Sequence, residues 1–212
     1  MPDLPMPREE QMRRFGCCFD DIHSFSPYHD FHDFQQKAVS ACPAGGTIVE
    51  IGCYLGRSLC CLGLMAKEAN KGLKIVGIDN NSIGGSDALR HNLKGANLDD
   101  FVNFIAKPSV EAAEAFADDS IWLAFIDGSH THTDVRDDIL AWMPKVAKDG
   151  WLAGHDALMH TVAQPVHAML GVENVITDNI DIWIVKKMPI RTGYEIHKDS
   201  YRPKVIPGSW KP

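Results

Sequence analysis

The sequence predicts a doubly wound α/β domain built on a mostly parallel sheet. Three observations carry that expectation. Short β-branched runs alternate with helical stretches five times between Thr47 and Gly154. The first run, Thr47-Ile-Val-Glu-Ile-Gly52, passes through a glycine-bearing turn directly into a helix. The last two runs, Asn174–Ile176 and Ile182–Val185, lie too close together for a helical crossover, so the final strand is expected to run antiparallel.

Phe31 to Val39 has the pattern of a helix leading to the core, and Cys42-Pro-Ala-Gly-Gly46 breaks it. Strand one, Thr47–Gly52, takes its character from Ile48, Val49 and Ile51. A helix over Ser58–Ala69 follows, with Leu59, Leu62 and Met65 on one face. Strand two is Lys74–Ile78, followed by a helix through Ala88–Lys94. Strand three is Val102–Ala106, with a helix around Val110–Phe116 after it. Strand four is Ile121–Ile126. A helix over Thr133–Trp142 leads to strand five, Trp151–Gly154, and a shorter helix spans Val162–Leu170. Asp178 and Asn179 suit the turn between the last two runs.

Residues 1–34 read as an arm or lid, 35–188 as the domain and 189–212 as a second arm, which packs on this subunit or offers a route to a homo-oligomer. Phe19, Phe25, Tyr28 and Phe31 suit a hydrophobic anchor for the first arm better than a lid. A net charge of -7 argues against a general nucleic-acid surface. No apolar run is long enough to span a bilayer, and the polar, proline-bearing start does not read as a signal peptide. Six cysteines, two pairs of them adjacent and none in a CxxC motif, read as reduced packing thiols, so a cytoplasmic protein is expected.

In sheets of this kind ligands bind beyond the carboxyl ends of the strands. Four of the five ends carry an acid: Glu50, Asp79, Asp127 and Asp156. Acids also cap helices at such places, but four together with His130 and His155 beside them point to a site. Gly52 and Gly56 permit a tight turn and close approach of a ligand, and Ser58 can satisfy an open N–H at the helix start. Asp79 is placed to accept two ribose hydroxyls. Tyr54 stands where a dinucleotide fingerprint needs its second glycine, and Glu50 would repel a pyrophosphate. The turn therefore suits a positively charged ligand without phosphates, of which S-adenosylmethionine is one.

Asp127, His155 and Asp156 end neighbouring strands about 5 Å apart, so their side chains can converge. Two carboxylates with open positions suit Mg²⁺, and the imidazole admits Mn²⁺ or another transition metal; a packed or capping His155 is the competing reading. His130, beyond Asp127 on the same loop, can take a proton from a hydroxyl, or can cap the next helix. His132 is the next candidate base.

At this point the residues resemble a known family. Val49-Glu-Ile-Gly-Cys-Tyr-Leu-Gly-Arg-Ser58, Gly77-Ile-Asp-Asn80, Phe125-Ile-Asp-Gly-Ser-His130, and the run Val135–Asp156 with Asp138, Trp142, Gly150 and the His155-Asp156 pair look like class I S-adenosylmethionine-dependent methyltransferases. They resemble most the group of macrocin-type and cephalosporin-biosynthesis O-methyltransferases. The resemblance covers residues 35 to about 187. It implies a Rossmann-like seven-stranded sheet with its last strand antiparallel, cofactor contacts at Glu50, Gly52 and Asp79, Mg²⁺ at Asp127 and Asp156, and a base at His130. Two departures stand out. His155 replaces what is more often an acid, and Lys107-Pro108 stands where an acid often helps hold adenine, leaving Ser109 as the contact there. The cofactor set read from the sequence is thus Glu50, Gly52, Gly56, Ser58, Asp79, Ser109 and Asp127. The expected function is metal-assisted O-methylation of a small-molecule hydroxyl. The alternatives are a metal-independent O- or N-methyltransferase and a non-catalytic adenosine-ligand binding module, with a nicotinamide dehydrogenase weakest.

Overall fold

The computed structural model describes residues 31–178, 181–191, 210 and 212. Helix α1 (His32–Ala41) precedes β1 (Thr47–Ile51), α2 (Arg57–Ala69), β2 (Lys74–Asp79), α3 (Ser86–Gly95), β3 (Val102–Ala106), α4 (Ser109–Ala113) and β4 (Ile121–Ile126). Then come α5 (His132–Trp142), β5 (Val146–Gly154), α6 (His160–Leu170), β6 (Ile176–Asp178) and β7 (Ile182–Lys186). The seven strands lie in the order β3-β2-β1-β4-β5-β7-β6. β1 to β5 pair in parallel, while β7 pairs antiparallel with both β5 and β6, so the last strand alone opposes the rest.

Among the described residues, each face of the sheet carries three helices. Ile48, Ile75, Leu123 and Phe125 meet residues of α1, α2 and α3 on one face. Val49, Ile51, Ala124 and Ile126 meet α4, α5 and α6 on the other. All six residues of β4 are buried, which explains its unbroken apolar run: it sits between β1 and β5 with helices above and below. Trp210 is also buried, its ring 5.1 Å from that of Phe34 and 5.7 Å from that of Trp151. The far end of the sequence thus closes the α1 face. Phe31 and Phe34 of the α1 region are core residues, so Phe31 is an anchor; Phe19, Phe25, Tyr28, Cys17, Cys18 and Asn179 lie outside the described residues. No disulfide joins the four described cysteines to one another.

Three boundaries differ from expectation. β5 starts at Val146 rather than Trp151, because its pairing with β4 shifts register between Ile121 and Leu123 and lets the polar Lys148-Asp149-Gly150 segment stay in the strand. α4 is a single short helix over Ser109–Ala113. β6 begins at Ile176, because residues 172–174 form a tight helical turn first. Among the described residues no helix is long and apolar enough to cross a membrane.

Candidate functional site

Strand order reverses between β1 and β4, so the loops after these strands part and leave a crevice at the carboxyl edge. The backbone fixes that edge. Gly52 N–H donates to Ile78 O at 2.8 Å, Asp127 N–H to Ile51 O at 2.7 Å, and His155 N–H to Ile126 O at 3.0 Å. The residue after each strand therefore continues the ladder, and its side chain inherits a set position.

The turn after β1 depends on its glycines in a way the sequence did not reveal. Gly52 has φ +87°, and a Cβ there would lie 2.1 Å from Asp127 O. Gly56 has φ +83°, and its Cβ would meet Leu89 Cγ at 2.9 Å. Protein fills both spaces, so the missing side chains serve packing against the loop after β4 and against α3, and any ligand approach is left to the backbone. Asp79 ties the turn to β2: Oδ2 accepts from Tyr54 N–H at 2.8 Å and Oδ1 from Asn81 N–H at 2.7 Å. Each oxygen keeps a further lone pair for a ligand hydroxyl. Tyr54 itself has φ +47°.

Ser58 does not cap α2. The N-cap is Gly56, without a side-chain bond, and Ser58 Oγ instead donates to Glu50 Oε1. A serine in the first helical turn reaches back to the strand, while Gln35 Nε2 holds Ser58 O at 2.9 Å. Glu50 is 1% exposed and borders a small apolar cavity with Phe31, Phe34, Leu123 and Phe125. Burial raises its pKa to about 8 against the opposing bond from Ser58, with Asp127 adding to the rise. The folded state then holds a proton that the unfolded chain has lost. Its contribution to stability is complete below pH 4.5 and disappears as pH rises through about 8. Thermal melts across this window are expected to fall more steeply for the wild type than for Glu50→Gln; parallel curves would show that Glu50 titrates normally.

Ser109 is committed to the protein. Its Oγ donates to Asp138 Oδ1 at 2.5 Å and accepts from Trp142 Nε1 at 2.8 Å. Asp138 is buried, which raises its pKa to about 6 although Ser109 opposes the rise. The adenine contact expected of Ser109 would have to share its hydroxyl with this network.

The acids and histidines at the ends of β4 and β5 do converge. His130 Nε2 lies 2.6 Å from Asp156 Oδ2. His155 Nδ1 lies 3.1 Å from Asp156 Oδ2 and 3.3 Å from Asp127 Oδ1. Asp156 adopts φ +57°. The His155 ring is almost wholly buried, edge-on to Phe31 at 5.1 Å. Burial pulls its pKa down, but the hydrogen bonds and charges of Asp127 and Asp156 outweigh this and lift it to about 10. Burial likewise works to raise the Asp156 pKa, and the two imidazoles hold it well below the usual carboxylate range. The Asp156 bond raises the pKa of His130.

Two overlapping groups of donor atoms result, each within 4.8 Å: Asp127, His130 and Asp156 towards solvent, and His155, Asp156 and Asp181 deeper in. The outer set of two carboxylates and an imidazole fits a divalent cation. The sequence-based set of Asp127, His155 and Asp156 is thus divided between them, with Asp156 common to both. Asp181 went unnoticed in the sequence. It immediately precedes the antiparallel strand, and that strand's first residues lie beside the last of β5, with Gly154 opposite Trp183. His132 turns away from the cluster: its Nε2 lies 2.5 Å from Gln164 Oε1 on α6.

Residues 49–157, just over half of the chain, match the protein family described as a methyltransferase domain. A protein from Corynebacterium glutamicum superposes with a TM-score of 0.60 at 14% identity, over 88% of this chain and 90% of its own. An S-adenosylmethionine-dependent O-methyltransferase from Thermotoga maritima gives 0.53 at 13% identity, over 76% of this chain and 54% of its own. Geranyl diphosphate C-methyltransferase from Streptomyces coelicolor A3(2) matches at 16% identity and a TM-score of 0.47, over 58% of this chain; the chain spans only 44% of that protein. No curated protein matches the chain in sequence.

Proposed function

The chain belongs to the methyltransferase domain family, and from that premise we propose that it transfers a methyl group from S-adenosylmethionine to a hydroxyl of a small molecule, with a divalent cation assisting. The observation that carries this reading is the grouping of Asp127, His130 and Asp156 within 4.8 Å, across the crevice from Asp79. In this reading Asp79 accepts the ribose hydroxyls, and Glu50 answers the positive charge of the methionine part by giving up its proton. Asp127 and Asp156 would hold the cation, with His130 beside them. When bound, a divalent cation lowers the pKa of an acceptor hydroxyl and orients it. His130 is the residue that would take that proton, at Nε2, the nitrogen that now faces Asp156. The chain's further contribution is to hold acceptor and sulfonium in line. Leu158 and Met159, 43% and 40% exposed next to Asp156, give an acceptor an apolar surface to rest on.

Isothermal titration tests this. S-adenosylmethionine and S-adenosylhomocysteine are both expected to bind, with and without EDTA. Mg²⁺ is expected to give a separate heat that Asp127→Ala removes. Failure of both adenosine ligands to bind would remove the central claim.

One observation favours a second reading. His155 Nδ1 already sits between Asp127 and Asp156, so an imidazolium balances the two acids without an ion. Turnover that persists in EDTA would select metal-independent methyl transfer.

A further inference from the structure

We propose that Asp181 is a positioning residue for the acid pair: it holds His155 from behind, so that the opposite ring nitrogen stays directed between Asp127 and Asp156. The geometry comes from three contacts by one residue. Asp181 Oδ2 lies 3.4 Å from His155 Nε2, on the far side of the ring from Nδ1. Asp181 Oδ1 accepts from Leu158 N–H at 3.2 Å. Asp181 O accepts from Ala157 N–H at 3.0 Å. Asp181 thus bonds the segment after Asp156 and sets its carboxylate against the far side of the ring, a contact of charges rather than a hydrogen bond. Phe31, edge-on to the same ring, limits its tilt. The chain of contacts runs carboxylate, imidazole, carboxylate pair, and it crosses from β7 to β5 to β4.

The physical consequence follows from how such outer partners work. A carboxylate behind an imidazole fixes its orientation, and loss of such a partner weakens metal affinity about 10- to 100-fold. Here the imidazole in turn orients the two acids. Without Asp181 the ring can rotate, Nδ1 leaves the acids, and the carboxylates of Asp127 and Asp156 lose the donor that holds their oxygens in place. The consequence for a cation rests on the metal-assisted reading above, but the positioning itself does not.

The test compares Asp181→Ala and Asp181→Asn with His155→Ala and the double variants. Asp181→Asn keeps an oxygen for Leu158 N–H and puts a donor towards Nε2, which guards against simple misfolding. Mn²⁺ affinity is expected to fall about 10- to 100-fold in Asp181→Ala, while S-adenosylhomocysteine affinity stays within about threefold. In the His155→Ala background, the Asp181 substitutions are expected to add nothing. Unchanged Mn²⁺ affinity would overturn the proposal. So would an Asp181 effect of full size without His155, since that would make Asp181 a loop brace alone. Should the wild type bind S-adenosylhomocysteine but no Mn²⁺, the metal reading fails and crystal structures of the variants decide. A His155 ring displaced from the acids supports the positioning role, and a ring still within about 3.5 Å of both removes it.

Discussion

Gly52→Ala is expected to lower stability by about 3 kcal/mol and to abolish S-adenosylhomocysteine binding. Two costs combine. A left-handed backbone costs a residue with a Cβ about 1–2 kcal/mol, and Gly52 has φ +87°. Forcing an extra carbon into a filled space costs about 1–3 kcal/mol more. The obstacle is backbone: Asp127 O at 2.1 Å, Asp127 C at 2.5 Å and Gly128 Cα at 2.7 Å. That backbone cannot yield easily, because Asp127 N–H is bonded to Ile51 O. For a chain of this length the melting temperature should drop by about 10 °C. Gly45→Ala is the control. It has φ +74° but nothing within 4 Å of the added carbon, so it carries the conformational cost alone. If both variants melt alike, the two loops are not packed as described here.

Asp127→Ala is expected to reduce turnover about 1,000-fold, the equivalent of about 4 kcal/mol of lost assistance to the reacting oxygen. Asp127 is the carboxylate of the outer group that His130 does not engage, and it is 23% exposed at the crevice. Its removal leaves Asp156 bracketed by His130 and His155, with no second acid to share a cation. S-adenosylhomocysteine should still bind, and EDTA should cost the variant nothing further. Turnover above a tenth of wild type would favour the metal-independent reading.

Much of this was legible in the chain. The first four strands end where glycine, proline or an acid follows an apolar run, and such ends are hard to misplace. The start of strand five is harder to read, because Lys148-Asp149-Gly150 is polar and a register shift keeps it in the strand. Ser58 was misread because serine at a helix start usually serves the backbone, and here the nearest buried partner is a carboxylate on the preceding strand. The convergence of Asp127, His130, His155 and Asp156 was readable from strand adjacency alone. Which imidazole faces which acid was not, because that depends on ring orientation within a packed core. Asp181 was within reach. An antiparallel final strand begins where parallel strands end, so an acid just before it belongs to the same edge.

The burial of Trp210 bears on how the protein is made. Phe34 belongs to the first described helix and Trp151 to the fifth strand, yet both rest on a ring that the ribosome adds close to residue 212. On a growing chain the α1 face must wait, its aromatic surface open to chaperones, until that tryptophan emerges from the exit tunnel. Among the described residues the opposite face draws on none later than Ile190 and can consolidate first. Nascent chains that stop before residue 210 would therefore leave Phe34, Trp122 and Trp151 without the ring that covers them.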